Sequence, residues 1–161
     1  MGNAYPASEA DNLIFWMEEK GRLGRKAKAG YFDYDEAGKR TGFWPGIHDK
    51  YPLAQEQPSL QEVQDRLMFA QVLEAVRALE EGVLEDIREG DVGAVLAWGF
   101  APWSGGPFSW LDMLGAARAV DLCDALVTQH GDRFTAPALL RDMAAKGESF
   151  YGRFTTKAQA A

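Results

Sequence analysis

The chain has little of what most catalytic sites are built from. One cysteine, Cys123, occurs in 161 residues, which excludes an internal disulfide framework and fits a reducing compartment. It falls within a helical pattern and reads as a small buried hydrophobe rather than a nucleophile. The two histidines, His48 and His130, have no companion at metal-ligand spacing and no serine or carboxylate arrangement that suggests a triad. No glycine-rich turn follows a predicted strand, so the dinucleotide and P-loop fingerprints are missing, as is GxSxG. No apolar run is long enough to cross a bilayer, and the first residues lack the basic and apolar regions of a secretory leader. Basic residues are scarce as well. Residues 1–50 balance eight basic against eight acidic side chains, whereas residues 51–161 set nine against sixteen and supply the whole net charge of −7. An acidic surface argues against nucleic-acid binding, which needs clustered Lys and Arg at phosphates. Paired acids such as Glu80-Glu81 and Glu85-Asp86 fall at helix ends, where solvated charge accounts for them. Taken alone, these residues form no complete catalytic constellation.

What is present is a helical pattern organised around residues 91–114, DVGAVLAWGFAPWSGGPFSWLDML. An apolar helix, with Asp91 as its expected cap, ends at Gly99. A tight turn through Pro102, Trp103, Gly105 and Gly106 follows, and an aromatic helix starts at Pro107, since Pro and Gly there leave little freedom to continue a helix. Trp98, Phe100, Trp103, Phe108 and Trp110 are expected to crowd into this corner. It reads either as a rigid corner for helix packing or as one wall of a cleft for an apolar ligand.

The remaining chain is mostly helical in pattern. Ser8 with Asp11 is a weak capping box before Leu13, Ile14 and Met17, and Gly21 stops that helix. Lys20, Arg22, Arg25, Lys26 and Lys28 form a basic cluster, either a solvated loop or a contact for nucleotide or coenzyme A phosphates. Tyr31-Phe32-Asp33-Tyr34 alternates like a short strand, residues 35–38 are turn chemistry, and Phe43-Trp44 would return as a hairpin. Residues 47–58 read as a linker. Ser59 with Glu62 is a full capping box opening the longest helix, to Glu81, with Val63, Leu67, Ala70, Leu73, Val76 and Leu79 as its buried stripe. Residues 116–130 form a helix with Val120, Cys123, Leu126 and Val127 inward. Pro137 takes the first position of a last helix stopped by Gly147. Phe150, Tyr151 and Phe154 keep the tail docked, and 157–161 fray. The fold class is all-α, with one extended excursion over residues 30–44.

Two segments resemble a known family. GRLGRKAKAGYFDYDEAGKR, through Gly21, Arg22, Gly24, Lys26, Gly30, Phe32 and Tyr34, resembles the end of the C-terminal helical domain of 3-hydroxyacyl-CoA dehydrogenases, with Tyr31-Phe32 in place of the usual Phe-Tyr order. The stretch from Glu62 onward resembles a second copy of that domain, through Arg66, Glu74, Ala75, Gly82, Gly99, Pro102, Gly106, Pro107 and Asp112. Residues 137–151 are similar to its final helices. This order is that of the multifunctional fatty-acid β-oxidation complex α subunit.

The resemblance implies a helical fold like the C-terminal domains of 3-hydroxyacyl-CoA and 6-phosphogluconate dehydrogenases. It divides the chain into the tail of a first copy (1–46), a linker (47–58), a second copy (59–151) and a C-terminal tail (152–161). It makes the chain a C-terminal piece of a cytoplasmic, bacterial-type enzyme that uses NAD and an acyl-CoA. Rossmann and enoyl-CoA hydratase domains would lie upstream, and a thiolase subunit is a candidate partner. No catalytic, cofactor-binding or metal-binding residue carries over, because the family's catalytic residues belong to the Rossmann domain. Where the first copy has an Asn-Arg pair, Asp65-Arg66 stand here as a degenerate site. The apolar face Leu13/Ile14/Met17 would lack its partners, which implies self-association of the piece. The alternative is a stand-alone helical module with a small acyl or peptide cleft at the corner.

Overall fold

A computed structural model describes residues 8–154. The chain divides between Gln57 and Pro58 into two compact units, and the described residues are predominantly helical with one two-stranded sheet. The residues expected to fray, 157–161, lie outside the described range.

The first unit begins with α1 (Glu9–Glu19), entered through a complete capping box: Ser8 Oγ accepts from Asp11 N, and the Asp11 carboxylate accepts from Ser8 N at 2.7 Å. The strands β1 (Phe32–Tyr34) and β2 (Arg40–Phe43) pair antiparallel with Phe32 opposite Phe43, which is the hairpin the alternation implied. A 3₁₀ turn over Pro45–Asp49 follows and buries Ile47, so the stretch read as a linker starts inside this unit. Arg22 is the hub. Its Nε donates to Gly30 O at 2.8 Å and its Nη2 to Asp33 Oδ1 at 2.5 Å, while the guanidinium lies 4.2 Å from the Trp44 ring centroid, itself stacked on Trp16. A Cβ on Gly30 would lie 2.8 Å from Gly24 Cα, so the two chain segments meet only with glycine there.

The second unit comprises α2 (Leu60–Glu80), α3 (Ile87–Gly93), α4 (Pro107–Leu114), α5 (Ala116–His130), α6 (Ala138–Lys146) and α7 (Phe150–Phe154), with α4 packed against α2, α3, α5 and α7 and α6 packed against α5 and α2. Its core gathers Phe69, Leu73, Val76, Ile87, Phe100, Phe108, Leu111, Cys123, Leu140, Met143 and Phe150. The buried stripe of α2 is rotated from the expected one. Phe69, Val72, Leu73 and Val76 point inward, while Leu67 and Ala70 are exposed, because the large Phe69 ring takes the inner position, edge-on to Trp110. The capping box at Ser59 is only half made. Ser59 Oγ accepts from Glu62 N at 3.1 Å, but the Glu62 carboxylate turns away to Arg66 and to His130 Nε2 at 3.2 Å. Pro137 is the cap of α6 rather than its first helical residue.

The corner also differs from expectation. α3 starts at Ile87, capped by Asp86, so Asp91 lies within a helix rather than ahead of one. One π-helical turn, Ala94–Trp98, runs into Gly99. Phe100 and Phe108 are buried and Trp110 is half-buried, but Trp98 and Trp103 point outward, since the turn reverses before either indole reaches the core.

Gly106 is fixed by the tightest backbone approach of this corner. At φ 123° a Cβ there would fall 2.5 Å from Asp91 Cα, Cβ and Cγ. We expect Gly106→Ala to destabilise the chain by about 3 kcal/mol or more, as overpacking and backbone strain combine. At Gly147, in the ordinary left-handed helical region (φ 65°, ψ 31°), nothing lies within 4 Å of such an atom, and Ala should cost only about 1 kcal/mol. Urea unfolding midpoints of the two variants give the comparison.

Candidate functional site

The densest polar cluster of the second unit is centred on Asp91, one of two buried polar residues among those described. Helix α4 begins at Gly106-Pro107 with no local side-chain cap. Its first amides would be orphan donors inside the core, a costly state for buried backbone groups. Asp91 supplies the missing cap from a neighbouring helix. Its Oδ1 accepts from Phe108 N at 2.8 Å, and its Oδ2 from Ser109 N at 3.0 Å and Ser109 Oγ at 2.6 Å. The Tyr151 hydroxyl donates to the same Oδ2 at 3.0 Å. Burial, and then the Asp91 carboxylate, raise the Tyr151 phenol above its ordinary range, so it remains a donor.

The same device recurs twice. Asp112 on α4 accepts from Phe150 N at 2.6 Å and Tyr151 N at 2.9 Å, capping α7. Glu80 at the end of α2 accepts from Leu139 N at 2.8 Å, capping α6. One turn earlier on α2, Arg77 donates to the carbonyls of Arg133 and Thr135 at 3.2 and 3.1 Å. Helix N-termini favour negative charge, and a carboxylate accepting backbone amides makes charge-assisted bonds.

The corner residues divide between this framework and the surface. Gly106 and Pro107 are buried against Asp91, whereas Gly99, Pro102, Trp103 and Gly105 are exposed. Asp65 and Arg66 lie apart from them on the N-terminal half of α2, where Asp65 Oδ1 accepts from Gln61 at 2.8 Å and Arg66 lies 3.8 Å from Glu62. No nucleophile–base pair is formed by these groups. Among the described residues no cluster of three or more His, Cys, Asp or Glu could hold a metal ion. Burial pushes the Cys123 thiol up to about 11.

In the first unit, Ile14, Met17, Leu23, Tyr31, Phe32 and Tyr34 line an open apolar groove of about 550 Å³ with Arg22 at one side. Leu23 and Ile14 are exposed, and Met17 closes the floor. Of the five cations in the basic cluster, Arg22 is committed inward and Lys28 Nζ donates to Glu36 O at 3.1 Å. The Asp91 and Asp112 caps were missed in the sequence because each joins residues 17 to 39 positions apart; the absence of a capping side chain at Gly106 was the available signal.

The sheet of the described residues is an antiparallel hairpin, β1 with β2, and has no strand–glycine turn–helix element. No family model matches the chain. No helix among the described residues is long and apolar enough to cross a membrane.

Asp91→Asn retains one good acceptor for three amide and hydroxyl donors besides Tyr151. We expect a loss of about 2–3 kcal/mol, and about 1 kcal/mol for Tyr151→Phe, with less than the sum in the double variant, read from denaturant titrations. Cys123 should resist iodoacetamide at pH 8 in the native protein and react once urea unfolds it, since only the thiolate attacks; mass spectrometry scores the adduct.

Proposed function

We propose that this chain is the C-terminal helical portion of an NAD-dependent 3-hydroxyacyl-CoA dehydrogenase of fatty-acid β-oxidation. On this reading it braces the acyl-CoA site and mediates domain or subunit association, and it turns over no substrate by itself. The parent would oxidise the 3-hydroxyl of an acyl-CoA to a ketone, with NAD as hydride acceptor bound by a Rossmann domain outside these residues. The same reading puts the parent in the cytoplasm and makes an enoyl-CoA hydratase domain and a thiolase subunit its candidate associates.

The observation that carries the reading is the work done by the residues on which the resemblance rests. Gly106 and Pro107 seat α4 on Asp91, Asp112 caps α7, and Arg22 and Gly30 close the hairpin unit. These positions hold helices and strands in place. Asp65-Arg66, where the first copy would carry its Asn-Arg pair, are engaged by Gln61 and Glu62 on the α2 surface, which suits a copy that keeps the fold without the site. The groove between Met17 and Phe32 in the first unit suits the remaining helices of a first copy, because its apolar lining has no cover within that unit.

Hydride transfer from NADH to acetoacetyl-CoA tests the proposal. This chain alone should give none. Added to the Rossmann domain and first helical segment of a β-oxidation α subunit, it should raise their rate about tenfold to a hundredfold, the scale on which positioning acts. Absence of any rescue, together with calorimetric binding of a short acyl chain or peptide by this chain alone, would favour the stand-alone binding module.

A further inference from the structure

The structure takes the run of cations at residues 20–28 apart. Arg22 is turned inward onto Gly30 and Asp33, Lys20 lies against the Trp16 ring, and Lys28 Nζ is tied to Glu36 O. Arg25 instead crosses to the hairpin. Its Nε lies 3.7 Å from where a Cβ on Gly38 would stand, which places the guanidinium over the hairpin turn. There it meets two cations of the returning arm, Lys39 and Arg40. With Tyr34 and Gly38 these three line a cleft of about 460 Å³. Tyr34 stands opposite Arg40 in the ladder, next to an irregularity of register between Asp33 and Tyr34, and such irregularities re-aim side chains. The Arg40 guanidinium lies 4.6 Å from the Phe32 ring centroid. A ring carries no oxygen acceptor, so this contact fixes the guanidinium and leaves its N–H donors to another partner.

Three cations thus converge on one cleft without an anion. Among the described residues none of the three forms an ion pair, and the side chains of Arg25 and Lys39 make no hydrogen bond. Two of the hairpin's acids are spent elsewhere: Asp33 on Arg22, and Asp35 on the Lys39 backbone N–H at 2.8 Å. The third, Glu36, does not line the cleft. Residues 20–40 hold seven basic against three acidic side chains in a chain of net charge −7. Like charges gathered in this way repel, and a cleft lined by one sign focuses its potential on a ligand of the other. The donors decide which anion. Two guanidinium forks and an ammonium offer more N–H groups than the two oxygens of a carboxylate use, and they match the three terminal oxygens and near-double charge of a phosphate monoester. We propose that Arg25, Lys39 and Arg40 form a phosphate-monoester site, with Tyr34 as an aromatic wall for the ligand's organic part. The site takes one member of the 20–28 run and two residues outside it. It lies wholly in the first unit and stands whether or not the dehydrogenase reading does.

Titration of the full chain with inorganic phosphate at constant ionic strength, followed by proton–nitrogen correlation NMR, is the test. The amides of Gly38, Lys39 and Arg40 should shift saturably, with half-saturation at about 1 mM, the scale of a few solvent-exposed charged contacts. Acetate should need about tenfold more, since it fills fewer of the donors. Arg25→Gln and Arg40→Gln should each weaken phosphate binding about three- to tenfold. Lys26→Gln removes the same charge from the residue beside Arg25 but outside the cleft, and should change binding by less than about twofold. Circular dichroism should be unchanged in all three. Phosphatidic acid vesicles separate the two sources of the group: co-sedimentation that inorganic phosphate reverses assigns a lipid headgroup, and no co-sedimentation assigns a soluble monoester. Shifts that do not saturate, acetate binding as well as phosphate, or equal weakening by Lys26→Gln and Arg25→Gln would each overturn the proposal, the last by reducing the cleft to diffuse positive charge.

Discussion

A single buried carboxylate joins three helices of the second unit around its apolar core. Asp91 sits where α3, α4 and α7 meet and accepts hydrogen bonds from two backbone amides and two hydroxyls. A carboxylate buried without partners would be strongly destabilising, and a helix N-terminus buried without acceptors would be as well. Placed together, each answers the other's requirement. The arrangement works only because residue 106 has no side chain, since any Cβ would occupy the space Asp91 fills. Asp112 and Glu80 repeat the exchange at α7 and α6. Three helix ends are thereby tied to other helices rather than to their own sequence neighbours, which fixes the bundle geometry as well as its stability.

The first unit is held by a different means. Its buried apolar side chains are few, Met17 and Ile47 among the described residues, and its order comes from Arg22. That guanidinium joins the turn at Gly30, the strand residue Asp33 and the stacked rings of Trp44 and Trp16. Planar and with several donors in a fixed fork, it does what a lysine could not. A unit built this way has little apolar area to bury internally and leaves its groove available to other chain segments.

Much of this architecture was legible in the sequence. Helix periodicity, glycine stops and the aromatic alternation at 31–34 gave the all-α class and the hairpin. What failed was the assignment of polar side chains to partners. Ser59 and Glu62 match a capping box better than Ser8 and Asp11 do, yet only the latter pair closes both bonds, because Glu62 is drawn toward His130 and Arg66. Asp91 was read as a local cap because spacing rules see neighbours in sequence, and its donors lie 17, 18 and 60 residues away. The aromatic crowding expected at the corner holds for Phe100, Phe108 and Trp110 but not for Trp98 and Trp103, whose place in a reversing turn directs them outward. At the candidate site, the glycines and prolines were recognisable, but their task, making room for one carboxylate, was not.

Asp91, Asp112 and Glu80 lock the helix ends of the second unit. The most direct measurement is native-state amide hydrogen exchange at Phe108, Ser109, Phe150 and Tyr151. Amides in a first helical turn ordinarily exchange quickly because they lack intrahelical acceptors. If Asp91 and Asp112 hold those ends, the four amides will exchange only as slowly as the whole unit unfolds. Exchange at the rate of a frayed helix terminus would contradict the account.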